Sequence, residues 1–126
     1  MALEGFEVIT FGNTGAYVSI TRNGLTFNKA ALEKVSGASH VVLLVNREAK
    51  QFAIKPCNAN DPNALAFTAQ KPNSPNVRWN SKDLLRLFSN LMSWNLEKCN
   101  GFRVNGEYVK AEKALLFDLN KAMPIS

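Results

Sequence analysis

YVSITRNGLTFN, residues 17–28, is the stretch that decides which fold the sequence predicts. Apolar and polar residues alternate over YVSIT and again over LTF, as they do in half-buried strands. Between them, RNG supplies residues that tolerate positive φ in a tight reversal. Asn28 is a good N-cap, and apolar residues at helical spacing follow it over residues 29–35. The stretch therefore predicts a strand pair followed by a short helix.

The rest of the chain predicts further strands and one longer helix. The other predicted strands cover residues 6–11, 41–45, 51–56, 65–70, 77–79, 103–104, 107–109 and 114–119. Asn105-Gly106 is typical of a two-residue hairpin turn. Asn80 or Ser81 is expected to cap a helix from Lys82 to about Trp94, whose apolar residues recur at i, i+3, i+4 and i+7. The tail after Asn120 is expected to fray.

These elements predict one α+β domain over residues 1–126, with a strongly bent or barrel-like antiparallel sheet and two helices. Residues 16–56 and 65–119 share the order strand, turn, strand, aromatic-Asn, helix, strand, strand. Without a gap, Phe27 falls on Trp79 and Leu32 on Leu84, and all four are expected to be largely buried. Two such halves would close around a pseudo-twofold axis and remove free sheet edges. An α+β chain can also yield two such units by chance, so the duplication stays one of two interpretations.

SITRNGLTFN, followed by a short helix and a hairpin, resembles the swapped-hairpin AbrB-like transcription regulators, in which two copies make one barrel. The resemblance implies DNA binding by basic residues on the loops that flank the helices. The positions that match are Arg22, Lys29, Lys71, Arg78 and Lys82. The chain departs from the family at the helix starts, where Asn28 and Asn80 stand in place of a frequent Pro, and in its longer loop over residues 71–76.

Composition favours an anionic partner. The chain has 126 residues, with 15 Lys and Arg against 10 Asp and Glu, a net charge of +5 and a pI near 9.4. Such a balance favours nucleic acid first. The first residues show no signal-peptide pattern, and the longest apolar runs are far shorter than the roughly 20 residues of a membrane span. We therefore expect a cytoplasmic protein that is not embedded in a membrane.

No catalytic, metal-binding or cofactor-binding motif is visible. His40 is the only histidine, and Cys57 and Cys99 stand far apart, so the usual zinc ligands are missing and two free thiols are expected. No glycine-rich phosphate loop is present. An enzyme is therefore not expected, although paired carboxylates from distant segments would leave no local motif.

Aromatic and basic residues interleave in the second half of the chain. They are Trp79, Trp94, Phe102 and Tyr108 with Arg78, Lys98 and Arg103. Such side chains can stack on bases and contact phosphates, but aromatic residues in a domain of this size more often form the core. Since Arg78 and Trp79 are neighbours on a strand, we expect the arginine outside and the tryptophan inside.

The sequence thus predicts a non-enzymatic binding module, nucleic-acid-associated or regulatory. The alternative is a protein-interaction or assembly domain, which would bind a partner protein or a second copy of the chain. That alternative predicts an exposed apolar patch, with Leu91, Met92 and Trp94 as its candidates. A small enzyme is a third class, which a deep pocket with convergent titratable groups would reveal.

Overall fold

A curled antiparallel half-barrel sheet with two helices makes up the computed structural model. It describes residues 5, 15–35, 38–68 and 76–125. The strands are β1 (Tyr17–Thr21), β2 (Gly24–Phe27), β3 (His40–Asn46), β4 (Gln51–Pro56), β5 (Leu65–Ala66), β6 (Val77–Trp79), β7 (Phe102–Val109), β8 (Ala114–Asp118) and β9 (Met123–Pro124). The helices are α1 (Lys29–Lys34) and α2 (Lys82–Met92), and a 3-10 turn covers Leu119–Lys121. The α+β prediction is confirmed.

The sheet runs in the order β5-β3-β4-β8-β7-β1-β2-β6, and the short β9 pairs with β7. The alternation in the sequence explains which side faces inward: Val18 and Ile20 of β1 are fully buried, while Tyr17 and Ser19 between them are partly exposed. The two edge strands, β5 and β6, lie close together: the indole Nε1 of Trp79 on β6 donates to the carbonyl of Ala66 on β5 at 2.9 Å. This hydrogen bond spans the open side of the half-barrel.

An aromatic cluster fills the space that the sheet encloses. The ring of Phe27 lies 5.1 Å from Phe67, 4.9 Å from Trp79 and 5.7 Å from Phe117, measured between centroids. Phe52 stacks on Phe117 at 4.8 Å. Helix α2 adds Leu85 and Phe88 to this core, and Phe88 stacks on Phe52 at 4.8 Å. The predicted inward face of α2 is thus the face that packs.

The predicted hairpin at Asn105-Gly106 is wrong. Both residues lie inside β7, which continues unbroken to Val109, and neither has the positive φ that such a turn requires. The reversal to β8 falls four residues later, over residues 110–113. Gly106 instead allows close packing of β7 against side chains of β8, because a Cβ there would lie 3.0 Å from side-chain atoms of Leu115 and of Phe117.

The tail does not fray up to Ile125, because β9 pairs with β7 and the Ile125 N–H donates to the Gly101 carbonyl at 2.9 Å. The predicted strand over residues 6–11 lies outside the described residues. The predicted strand over 65–70 is too long, because β5 covers only Leu65–Ala66 and residues 67–68 are not in a strand, while 69–70 lie outside the described residues. In the described ranges, no helix is long and apolar enough to cross a membrane.

The two predicted halves interlock through their strands. The first strand of each half pairs with the third strand of the other half: β1 pairs with β7, and β5 pairs with β3. The two other strand pairs between the halves are β4 with β8 and β2 with β6. The halves also differ: β1 pairs with β2, whereas the described residues record no pairing of β5 with β6. Phe27 is fully buried, but Leu32, Trp79 and Leu84 are half-buried. The duplication stays a prediction.

Candidate nucleic-acid interface

The antiparallel pair of β2 and β6, called here the β2–β6 ribbon, carries Arg78, one of the five predicted basic residues. Thr26 lies directly opposite Arg78 in the middle of the ribbon. Cross-strand partners point to the same face, and Arg78 is exposed while Trp79 is half-buried. Arg78 therefore lies on the outer face and Trp79 points inward, as the sequence predicts.

Arg22 and Lys82 lie at the same end of the ribbon and line one groove. Arg22 belongs to the exposed β1–β2 turn, and Lys82 is the first residue of α2. The two segments come close because Gly24, at φ 140°, packs against the backbone of Trp79 just before α2 begins. Both basic residues line one groove of about 510 Å³, called here the α2 groove. The lining of this groove consists of Arg22, Lys82, Leu85, Arg86, Ser89, Trp94, Asn95, Leu96 and Glu97.

Lys29 lies at the opposite end of the ribbon, just beyond Phe27 at the start of α1. Its ammonium group is 3.8 Å from the carboxylate of Glu33, and both side chains are well exposed. An exposed pair of this kind contributes little to stability, so the lysine is able to exchange its carboxylate for another anion. Lys71 lies outside the described residues. Of the five predicted residues, the structure thus brings Arg22 and Lys82 together and spaces Arg78 and Lys29 along the ribbon.

Arg86 is a member of the site that the sequence analysis missed. It follows Lys82 by one helical turn and lines the same groove, and its guanidinium lies 3.4 Å from the exposed carboxylate of Asp83. The i, i+4 spacing of two basic residues is a signal that could have found it. A second groove of about 430 Å³ adjoins the first, since Arg22 and Glu97 line both, and it adds Lys98. Four cations therefore surround the two grooves.

The aromatic candidates separate into different environments. Trp94 lines the α2 groove and stacks on Phe102, with ring centroids 4.0 Å apart and an interplanar angle of 11°. Trp79 belongs to the core cluster. Tyr108 is partly exposed on β7, and the guanidinium of Arg103 lies over the ring of Tyr17, 4.1 Å from its centroid. Only Trp94, of these aromatic residues, shares a groove with the predicted cations.

Of the remaining titratable groups, Cys99 lines the second groove, whereas Cys57 and His40 line neither groove. Cys57 and Cys99 are free thiols; partial burial, and next the Asp61 carboxylate, raise the pKa of the Cys57 thiol above its ordinary value. Ser39 Oγ lies 2.9 Å from His40 Nδ1 in an exposed hydrogen bond. Within residues 15–35, 38–68 and 76–125, no group of three or more His, Cys, Asp or Glu side chains is placed to hold a metal ion.

The exposed apolar residues are not those that the protein-interaction alternative predicts. Leu91, Met92 and Trp94 are half-buried and pack against the core. Among the described residues, the exposed large apolar side chains are instead Leu44 (50%), Met123 (47%), Leu65 (39%) and Tyr108 (38%). Of these, Leu44 and Leu65 line a common groove of about 530 Å³ beside β5. A groove next to it of about 480 Å³ is lined by Leu43, Leu65, Ala66, Trp79, Ser81, Asp83, Leu84 and Leu87. We call Leu44, Leu65 and this groove the β5 surface.

Comparison with protein-family models, with curated proteins and with solved structures finds no match to this chain.

Proposed function

We propose that the protein is a non-enzymatic module that binds nucleic acid through backbone phosphates, at the β2–β6 ribbon and the α2 groove. The observation that supports it most is the meeting of Arg22, Lys82 and Arg86 around one groove. Two distant parts of the chain supply these cations, and Arg78 continues the positive charge along the ribbon. The same role is what the resemblance to AbrB-like regulators implies.

The chemistry of such a site is electrostatic. A phosphate chain that reaches the site releases condensed counterions for every phosphate that a Lys or Arg side chain neutralises. The first turn of α2, which Ser81 caps, places the positive end of the helix dipole beside Lys82. Arg22, Lys82 and Arg86 outnumber Glu97, the one acidic residue lining the α2 groove, and Asp83, which pairs with Arg86, so the site retains a net positive charge.

A salt titration tests this function. The protein is titrated with duplex and single-stranded DNA at several salt concentrations, and log affinity should fall linearly with log salt. Removing one phosphate contact, by Arg22→Ala or Lys82→Ala, should reduce the slope by about 0.9 for duplex DNA and about 0.7 for single strands. Neither change should move the free energy of unfolding by more than about 0.5 kcal/mol, since both side chains are exposed.

Arg47→Ala is the matched control, because Arg47 is an exposed arginine in the turn between β3 and β4, away from the ribbon. It removes the same charge and should leave the slope unchanged. If Arg47→Ala and Arg22→Ala reduced the salt slope equally, net charge alone would account for the attraction of DNA. Binding weaker than about 0.1 mM to both DNA forms at 50 mM salt would refute the function, because that is weaker than ordinary non-specific binding.

The β5 surface favours a second candidate function, self-association. Most soluble oligomers are built from identical chains, and the exposed Leu44 and Leu65 would gain from burial against a second copy. Sedimentation should then show a dimer that Leu65→Ser converts to monomer. This candidate leads if the DNA titrations show no binding.

A further inference from the structure

The α2 groove has an aromatic wall as well as a basic rim. Helix α2 ends at Met92, and Ser93 takes a left-handed conformation, with φ 57° and ψ 39°. This turn directs the chain back, and the Trp94 N–H donates to the Ser89 carbonyl at 3.0 Å. Trp94 then rests on Phe102 of β7 and lines the groove together with Leu85 and Leu96.

The indole is preorganised as a stacking surface. One face is covered by Phe102 at 4.0 Å, nearly parallel, and the ring is half-buried rather than enclosed. Because this partly exposed ring also lines the α2 groove, a planar group that enters the groove can contact it. Because the ring already has a fixed orientation, little side-chain entropy is lost when such a group binds.

Four cations line the α2 groove and the groove that adjoins it. Arg22 lines both adjoining grooves, Lys82 and Arg86 line the first, and Lys98 lines the second. Glu97 between them repels phosphate, but its carboxylate can accept a hydrogen bond from the exocyclic amino group of a base. The two grooves thus offer cations for phosphates and an aromatic ring for a base.

We propose that the α2 groove binds single-stranded nucleic acid, with one unpaired base stacked on Trp94 and the flanking phosphates held by Arg22 and Lys82. This inference rests on the proposed function and narrows its substrate. Bases inside a duplex are already stacked on each other and cannot reach Trp94 without being unpaired. Single strands expose the flat face of every base, so stacking adds affinity with little sequence preference.

The test compares a single-stranded 12-nucleotide DNA with a duplex of the same length. Trp94→Ala should weaken binding of the single strand by about 5- to 150-fold, the range found when a stacking aromatic is truncated. Binding of the duplex should change by less than about twofold, because the phosphate contacts remain. Binding of the single strand should also quench tryptophan fluorescence in the wild-type protein.

Two conservative variants separate stacking from a folding defect. Trp94→Phe keeps a ring on Phe102; it should abolish the quenching and bind the single strand with an affinity between those of wild type and Trp94→Ala. Trp79→Phe removes the other tryptophan, which points into the core and lies outside the α2 groove, and should retain the quenching.

The outcomes distinguish the two proposals. If wild type, Trp94→Phe and Trp94→Ala all bind the single strand with the same affinity, the stacking site is refuted and the phosphate-binding function stands. Quenching that persists in Trp94→Phe would also refute the site. If neither DNA form binds, both proposals fail.

Discussion

At the scale of single residues, Asn28 joins three segments of backbone. Its Oδ1 accepts from the N–H groups of Tyr17 and Ala31, both at 3.0 Å, and its Nδ2 donates to the Gly15 carbonyl at 2.8 Å. The side chain is thus both the N-cap of α1 and a link to the start of β1. The aligned Asn80 has no such role, because Ser81 caps α2 by accepting from the Leu84 N–H at 3.2 Å.

We therefore expect Asn28→Ala to lower the free energy of unfolding by about 2–3 kcal/mol, from the lost cap and the lost hydrogen bonds. Asn80→Ala, at an exposed position, should change it by less than about 0.5 kcal/mol. Urea unfolding followed by circular dichroism measures both. Equal effects of the two substitutions would show that Asn28 is not the structural link described here.

At the scale of elements, the close approach of β2 to the segment just before α2 determines where Arg22 and Lys82 lie. Gly24 has φ 140°, and a Cβ there would run into the Trp79 carbonyl oxygen and lie 3.1 Å from Oδ1 of Asn80. The chain tolerates this approach only because glycine has no side chain. The approach in turn holds the turn that carries Arg22 beside the first residue of α2.

Gly24→Ala should accordingly push the β1–β2 turn away from α2. The expected loss is at least about 1–3 kcal/mol of unfolding free energy, from the unfavourable φ and the backbone contact together, with weaker DNA binding. Gly15→Ala is the control, since Gly15 has φ 74° but its Cβ would meet nothing within 4 Å. Thermal unfolding and the salt titration report the two effects, and a Gly15 variant as impaired as the Gly24 variant would contradict this account.

At the scale of the whole molecule, the two halves share one sheet and one core. Phe27 of the first half contacts Phe67, Trp79 and Phe117 of the second. The turns at residues 47–50 and 110–113 also match: Lys50 and Lys113 close them with φ 58° and 53°. Neither half can bury its apolar face or pair all its strands without the other.

This interlocking predicts a single unfolding transition, in which tryptophan fluorescence and circular dichroism change together. Phe27→Leu should lower the midpoint of unfolding equally for both probes. The free energy of unfolding should fall by about 1–3 kcal/mol, because the smaller side chain leaves a cavity in the core. Leu44→Ala, at a side chain 50% exposed, should cost less than Phe27→Leu. Two separate transitions, or a shift seen by only one probe, would show that the halves fold independently.

Local pattern in the sequence was enough to predict the α+β class and most of the elements. Alternation places strands at residues 51–56 and 77–79, where β4 and β6 lie, and helical spacing predicts α1 and α2. It also predicts that Arg78 points outward and Trp79 inward. These features depend on residues within a few positions of each other, because backbone hydrogen bonding and side-chain direction repeat over two to four residues.

Only the tertiary structure decided which segments meet. Asn105-Gly106 is a turn signal by local preference, but β7 stays extended there because it pairs with both β1 and β8 and Gly106 packs against Leu115. Arg22, Lys82 and Trp94 share a groove because β2 pairs with β6 and Ser93 reverses the chain after α2. Such pairings are chosen by the burial of the common core, which involves residues far apart in sequence, so no local pattern encodes them.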